Sequence, residues 1–154
     1  MLRISKLADY GTVIMVYLAR RGEGLLNARD IASHTRLSVP TVSKLLKRLT
    51  AAGLLSSVRG ANGGYRLQRL ATEISVTQIL YALEESRGLT ECSSHENECA
   101  LQHVCHVQGN WQLISQGIAA ALDSVSLDAL AKPMLLAVDL ERIKALVVGG
   151  VRRG

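Results

Sequence analysis

Phenylalanine is missing from this 154-residue chain, proline occurs only twice, and aromatic residues of every kind make up 3%. The first and third shortages remove much of the usual stock of strand-forming side chains. The second leaves few interruptions to helix. A mainly helical protein is expected. No stretch is apolar and long enough to span a bilayer. The opening Met1-Leu2-Arg3-Ile4-Ser5-Lys6 lacks the apolar core of a secretory signal. The expectation is a cytoplasmic protein with no membrane partner. Cysteine is confined to Cys92, Cys99 and Cys105. An odd number in a reducing compartment speaks against a disulfide framework and for ligand or redox chemistry. With 48% hydrophobic residues, the chain can build one compact domain, or a small domain with an appendage.

The net charge of +5 hides an asymmetry. Residues 1–70 hold 12 Lys and Arg against 3 Asp and Glu, whereas residues 71–154 carry a net −4. A basic first half is the electrostatic footprint of a polyanionic partner.

The pattern of apolar residues gives that half a plan. Tyr10, Val13, Ile14, Tyr17 and Leu18 fall at the spacing of one buried helix face between about Ser5 and Arg20. Gly22 and Gly24 end it. A short helix fits Ala28 to Ser33, with Ile31 and Ala32 inward. Thr35-Arg36-Leu37 then makes a tight turn. Ser38 can cap a third helix with Pro40 in its first turn, where the missing amide hydrogen costs nothing. Val42, Leu45, Leu46 and Leu49 form its apolar stripe, and Gly53 stops it.

Helix, short turn, helix is the helix-turn-helix plan. Away from the apolar stripe the third helix offers Thr41, Ser43, Lys44, Lys47 and Arg48, side chains that bond base edges or neutralise phosphates. Leu54 to Val58 reads as a strand, Arg59-Gly60-Ala61-Asn62-Gly63-Gly64 as a turn, and Tyr65-Arg66-Leu67 as the returning strand. A hairpin placed directly after a basic helix is a wing. Arg59 at its tip suits entry into a narrow, electronegative minor groove.

Beyond the wing, Ser75 to Gln78 is a capping box for a helix carrying Ile79, Leu80 and Leu83, closed by Arg87-Gly88. Gly109 precedes a further helix. Trp111, Ile114, Ile118, Ala121 and Val125 run along it at spacings of three and four, a short heptad seam suited to a dimer. Pro133 can open a last helix with Leu136, Leu140, Ile143 and Val147.

Between Arg87 and Gln108 lie all three cysteines, three of the four histidines (His95, His103 and His106), and Glu91, Glu96 and Glu98. Few residues there suit a core, and a metal centre would supply folding energy locally. Three cysteines and a histidine could hold zinc, although no Cys-x-x-Cys pair is present. An iron–sulfur cluster would find three thiolates and need a fourth, weaker ligand. An enzyme is not expected, and neither is a small-molecule substrate. No Gly-rich or oxyanion-type motif accompanies the cysteines, and no feature sets a base against one of them.

The stretches Leu2 to Lys6, Val39-Pro40-Thr41-Val42-Ser43-Lys44-Leu45-Leu46 and Arg59 to Leu67, with Cys92, Cys99 and Cys105, resemble the iron–sulfur-sensing winged-helix regulators of the IscR/NsrR-like family. Leu89-Thr90-Glu91-Cys92 and Gly109-Asn110-Trp111-Gln112 look most like the branch that regulates SUF-type cluster assembly. The resemblance spans about Met1 to Ala131. It implies a homodimeric repressor of promoter DNA that senses cluster status or oxidative or nitrosative stress. It places Pro40, Thr41 and Ser43 against bases and Arg59 in the minor groove. It implies a cluster on Cys92, Cys99 and Cys105, with [4Fe–4S] favoured over [2Fe–2S]. One branch has a histidine ligand where Gln108 stands here, and Gln108 is a poor ligand. Another branch takes a carboxylate from the partner's first helix, at the position of Asp9. Asp9 of the partner subunit is therefore the expected fourth ligand, with His106 as the alternative. A zinc or thiol-redox switch, or a nitric-oxide-sensing repressor, remains open on the same frame.

The resulting organisation is a winged helix-turn-helix DNA-binding domain at 1–69, a connecting helix and cysteine loop at 70–108, a long dimerisation helix at 109–131, and a tail at 132–154.

Overall fold

The computed structural model describes residues 4–60, 62–84, 88–90, 93, 99 and 104–132. Its first helix, α1 (Lys6–Arg21), starts where the Ser5 hydroxyl accepts a hydrogen bond from the Ala8 amide at 3.1 Å. Arg20 and Arg21 occupy its last turn, where cations complement the helix dipole. α2 (Ala28–Thr35) is capped by Asn27, whose side-chain oxygen takes the Arg29 and Asp30 amides at 3.0 and 2.9 Å. α3 (Val39–Ala51) is capped by Ser38 and carries Pro40 in its first turn. Gly53, with φ 72°, turns the chain out of α3 in a conformation that favours glycine.

The wing consists of β1 (Leu55–Val58) and β2 (Gly64–Leu67), antiparallel, with Leu55 opposite Leu67 and Val58 opposite Gly64. It is fastened at its base. Leu26 and Tyr65 exchange both amide–carbonyl hydrogen bonds, at 3.0 and 2.9 Å. Gly64 makes this closeness possible: a Cβ there would stand 2.8–3.0 Å from the Leu26 backbone.

A short 3₁₀ turn (Ala71–Glu73) leads to α4 (Val76–Leu83), which begins with the expected capping box of Ser75 and Gln78. α5 (Gln108–Asp123) and α6 (Leu127–Ala131) complete the described elements. The core is one cluster. Ile14, Met15 and Leu18 of α1 meet Ile31 of α2, Leu45, Leu46 and Leu49 of α3, Ile79 and Leu83 of α4, and Leu127 of α6. The expected units at 1–69 and 70–108 therefore share a single core. Burial of so many large aliphatic side chains, each worth roughly 1.5–3 kcal/mol, ties α4 and α6 to the reading head.

Four details differ from the expectations. Val13 is 43% exposed and Met15 is buried in its place, because α1 packs against α4 and α6 as well as α3. α2 runs on to Thr35. α4 ends at Leu83, short of Arg87-Gly88, because Glu84 takes an extended conformation and reaches back to Ser5. The helix expected over 109–131 is two helices. Between them Ser124 to Ser126 pass beside Ile74 to Val76, with Val76 donating to the Val125 carbonyl at 2.9 Å and Leu127 to that of Ile74 at 2.7 Å. Val125 thus enters the core instead of extending the seam, and Ser126 caps α6. The helix expected from Pro133 lies outside the described residues.

Candidate nucleic-acid interface and cysteine site

The outward side of α3 gathers the basic and hydroxyl residues read from the sequence. Pro40, Lys44 and Lys47 are exposed, while Thr41, Ser43 and Arg48 are half-buried. Positions 40, 44, 47 and 48 fall on one side of a 3.6-residue helix, with Thr41 and Ser43 flanking them. The inward side is fully occupied by Val42, Leu45, Leu46 and Leu49. The orientation of α3 is therefore fixed by packing, and its polar side is left for a partner. The hydroxyls of Ser38 and Thr41 lie 2.8 Å apart at its start.

Among the described residues, charge on this side is uncompensated. Among the described residues the one Lys/Arg–carboxylate ion pair is Lys132 with Asp128, far along the chain on α6. Lys44, Lys47, Arg48 and Arg59 have no carboxylate partner there. An interface of unpaired cations beside hydroxyl groups matches the demands of a phosphate backbone.

Arg59 stands exposed immediately after β1, at the wing's tip, where the Gly63 amide closes the turn on the Gly60 carbonyl at 3.0 Å. Ala61 lies outside the described residues. Two arginines escaped the sequence reading. Arg66 is on β2 with its Nε 3.3 Å from the Ser56 hydroxyl, so its guanidinium is steadied across the wing. Arg36 lies in the turn between α2 and α3 with φ 57°. Strand alternation could have signalled the first. Nothing in the local sequence signals a left-handed arginine.

α1 and α2 are joined by a stacked pair, Tyr17 and His34, with ring centroids 5.1 Å apart. His34 Nδ1 is 2.9 Å from the Asp30 carbonyl oxygen, which can only accept, so this nitrogen carries the proton. Nε2 is then free to accept from Arg21 Nη2 at 3.1 Å.

The cysteine site is only partly described. Cys99 and Cys105 are free and half-buried; Cys92, His95 and His103 lie outside the described residues. Cys105 precedes Gln108, the first residue of α5, by three positions, and His106 between them is exposed. Asp9 is exposed in the first turn of α1. Among the described residues no three Cys, His, Asp or Glu side chains of one chain converge as a metal site. The donor chemistry of three thiolates still fits a soft metal centre.

A family model described as "Rrf2: Iron-dependent Transcriptional regulator" matches residues 4–133. The HTH-type transcriptional regulator IscR of Photorhabdus laumondii is 33% identical over 130 residues, covering 84% of this chain and 79% of that one. Among solved structures, CymR, the global cysteine regulator of B. subtilis, is 34% identical with a TM-score of 0.66, over 85% of this chain and 97% of its own. The IscR of T. potens is 32% identical with a TM-score of 0.63, over 89% and 95%.

Proposed function

The chain belongs to the Rrf2 family of transcriptional regulators, and from that premise we propose that it is a homodimeric repressor whose hold on promoter DNA is set by an iron–sulfur cluster. Its relatives are regulators, not enzymes, and bind DNA through a winged helix-turn-helix of the kind formed by α1 to β2. On this reading Pro40, Thr41 and Ser43 meet base edges, Lys44, Lys47 and Arg48 meet phosphates, and Arg59 enters a minor groove. The protein works where its promoter is, in the cytoplasm. Its target genes are those of SUF-type cluster assembly.

The observation that carries the sensing half is the placement of the cysteines. All three lie in the connection between α4, which belongs to the reading head's core, and α5. Cys92, Cys99 and Cys105 would hold the cluster, and Asp9 of a second copy would complete the ligand set. When bound, such a cluster supplies a group that can change oxidation state or be lost. The chain's own part would be to supply the thiolates from the segment ahead of α5 and to present Asp9 from the capped first turn of α1. Three thiolates and one weaker ligand are compatible with [2Fe–2S] or [4Fe–4S], and the family resemblance favours the latter.

Anaerobic purification tests this directly. Iron with acid-labile sulfide and a Mössbauer spectrum of a four-iron centre are expected, together with a change in promoter affinity once the cluster is removed. A colourless protein carrying zinc would overturn the cluster. A second reading, a thiol switch with no cluster, is favoured by Cys99 and Cys105, which are half-buried and in no disulfide. It requires metal-free protein whose DNA affinity changes on oxidation and recovers with a thiol reductant.

A further inference from the structure

Arg36 is the one non-glycine residue with positive φ among the described residues (φ 57°, ψ 27°), and it terminates α2 in the left-handed region. The fold demands that conformation. By reversing the chain after Thr35 it returns Leu37 to the edge of the core and brings Ser38 to cap α3. The fold does not demand an arginine. A Cβ in this region crowds the following carbonyl, so glycine, or asparagine with its short side chain, would fit better. A residue kept in strained backbone calls for something the side chain does in return.

Nothing within the described chain receives that return. The Arg36 side chain is exposed and has no hydrogen bond, ion pair or ring contact there. It stands at the turn that delivers the start of α3, two residues before Ser38. The cations beyond it, Lys44, Lys47 and Arg48, are likewise without carboxylate partners.

We propose that Arg36 is a DNA-backbone contact, its guanidinium seated on a phosphate at the edge of the groove that α3 reads. Guanidinium matches phosphate in charge and in the geometry of its paired donors. The strain in the turn is then the counterpart of a contact made only when DNA is present. The inference rests on the DNA-binding reading of α3 and goes beyond it by assigning a role to the turn.

The test compares the full-length wild type with Arg36→Gly, Arg36→Lys and Lys47→Ala on a random-sequence duplex about three helical turns long. Affinity is followed between about 50 and 200 mM salt, with a thermal melt of each protein. Arg36→Gly is expected to melt at the wild-type temperature or above. It should bind about threefold to tenfold more weakly, with a log K against log salt slope shallower by about one. Arg36→Lys should keep most of the affinity and the slope. Unchanged binding by Arg36→Gly overturns the proposal, and so does weaker binding with an unchanged slope. A lower melting temperature for Arg36→Gly would make the residue structural and equally overturn it. Lys47→Ala separates the two levels of inference. If its slope falls while that of Arg36→Gly does not, the reading of α3 stands and the turn contact fails. If wild type shows no salt-dependent binding, both fail.

Discussion

The main-chain amide of Ser5 donates to the Glu84 carboxylate at 2.9 Å, across 79 positions of sequence. Ser5 caps α1, and Glu84 is the residue at which the chain leaves α4 on its way to the cysteines. One hydrogen bond thus links the start of the helix bearing Asp9 to the entrance of the cysteine segment. A carboxylate here also lies at the positive end of the α1 dipole. Glu84→Ala leaves a half-buried amide without its charged acceptor, at an expected cost of about 1 kcal/mol. Glu84→Gln retains an acceptor oxygen and should lose less. Urea denaturation of the two variants checks the order, and equal stability of Glu84→Ala and wild type would remove the link.

The base of the wing depends on a missing side chain. A Cβ at Gly64 would press on the backbone of Leu26, which has no rotamer to escape into. Gly64→Ala should cost about 1–3 kcal/mol, as overpacking does, and should loosen the wing that carries Arg59. Gly24→Ala is the control, since nothing lies within 4 Å of its Cβ position. Matching urea midpoints for the two variants would contradict the close approach.

Much of this arrangement was legible in local sequence. The caps Ser38 and Ser75, the stop at Gly53 and the hairpin all follow from residues within a few positions of one another, and the structure repeats them. What escaped is nonlocal. Glu84 shortens α4 because its partner is Ser5. Val125 leaves the heptad pattern because its carbonyl is taken by Val76 and its side chain by the core. Met15 replaces Val13 inside because α1 is wrapped by elements from both halves of the chain. The site divides in the same way. The basic side of α3 was readable because one helix carries it. The proposed cysteine ligand set spans distant positions, and sequence spacing supplies its chemistry without its geometry.

Two substitutions on the DNA side should behave differently. Lys47 is exposed and without a carboxylate partner among the described residues. Lys47→Ala is expected to weaken binding to all sequences and flatten the salt slope by about one. Arg59→Ala should instead reduce discrimination at the minor-groove position, because a narrow groove is read through its shape and potential. Fluorescence anisotropy with promoter and scrambled duplexes measures both. If Arg59→Ala rescales every duplex equally, the wing is an electrostatic clamp without a reading role.

Asp9 and His106 compete for the fourth position of the proposed cluster. Both are exposed within a single chain, so either is available to a neighbour. Asp9 sits in the side-chain-capped first turn of α1. His106 lies in the bend before α5, whose first residue has no side-chain cap. Loss of a true ligand should speed cluster loss roughly tenfold or more, the scale on which even outer partners act. Asp9→Ala is expected to show this in the decay of the visible absorption under chelator, and His106→Ala to decay like wild type. The reverse ranking would transfer the role to His106.

α5 poses the largest packing question, since none of its 16 residues is buried. Among the described residues it meets the body at several points, Asp123 at its end accepting from the Ser75 hydroxyl at 2.6 Å. Ser115 accepts from the Leu89 amide at 3.3 Å, the Ala119 carbonyl accepts from Thr77 at 3.0 Å, and Leu122 packs at the core's edge. On an adjoining stripe Trp111 and Ile114 remain 40% and 47% exposed, with Ile118 half-buried at the next turn. An apolar row of this kind along a helix about 24 Å long suits packing against its own copy, where each side chain finds an identical groove. Ile114→Glu places a charge in that seam and leaves the contacts through Ser115, Ala119 and Leu122 intact. The variant should keep its fold by circular dichroism, sediment as a monomer and lose high-affinity promoter binding. Two half-sites one helical turn apart need two linked reading heads. If wild type and variant both sediment as dimers, the seam lies elsewhere on the molecule.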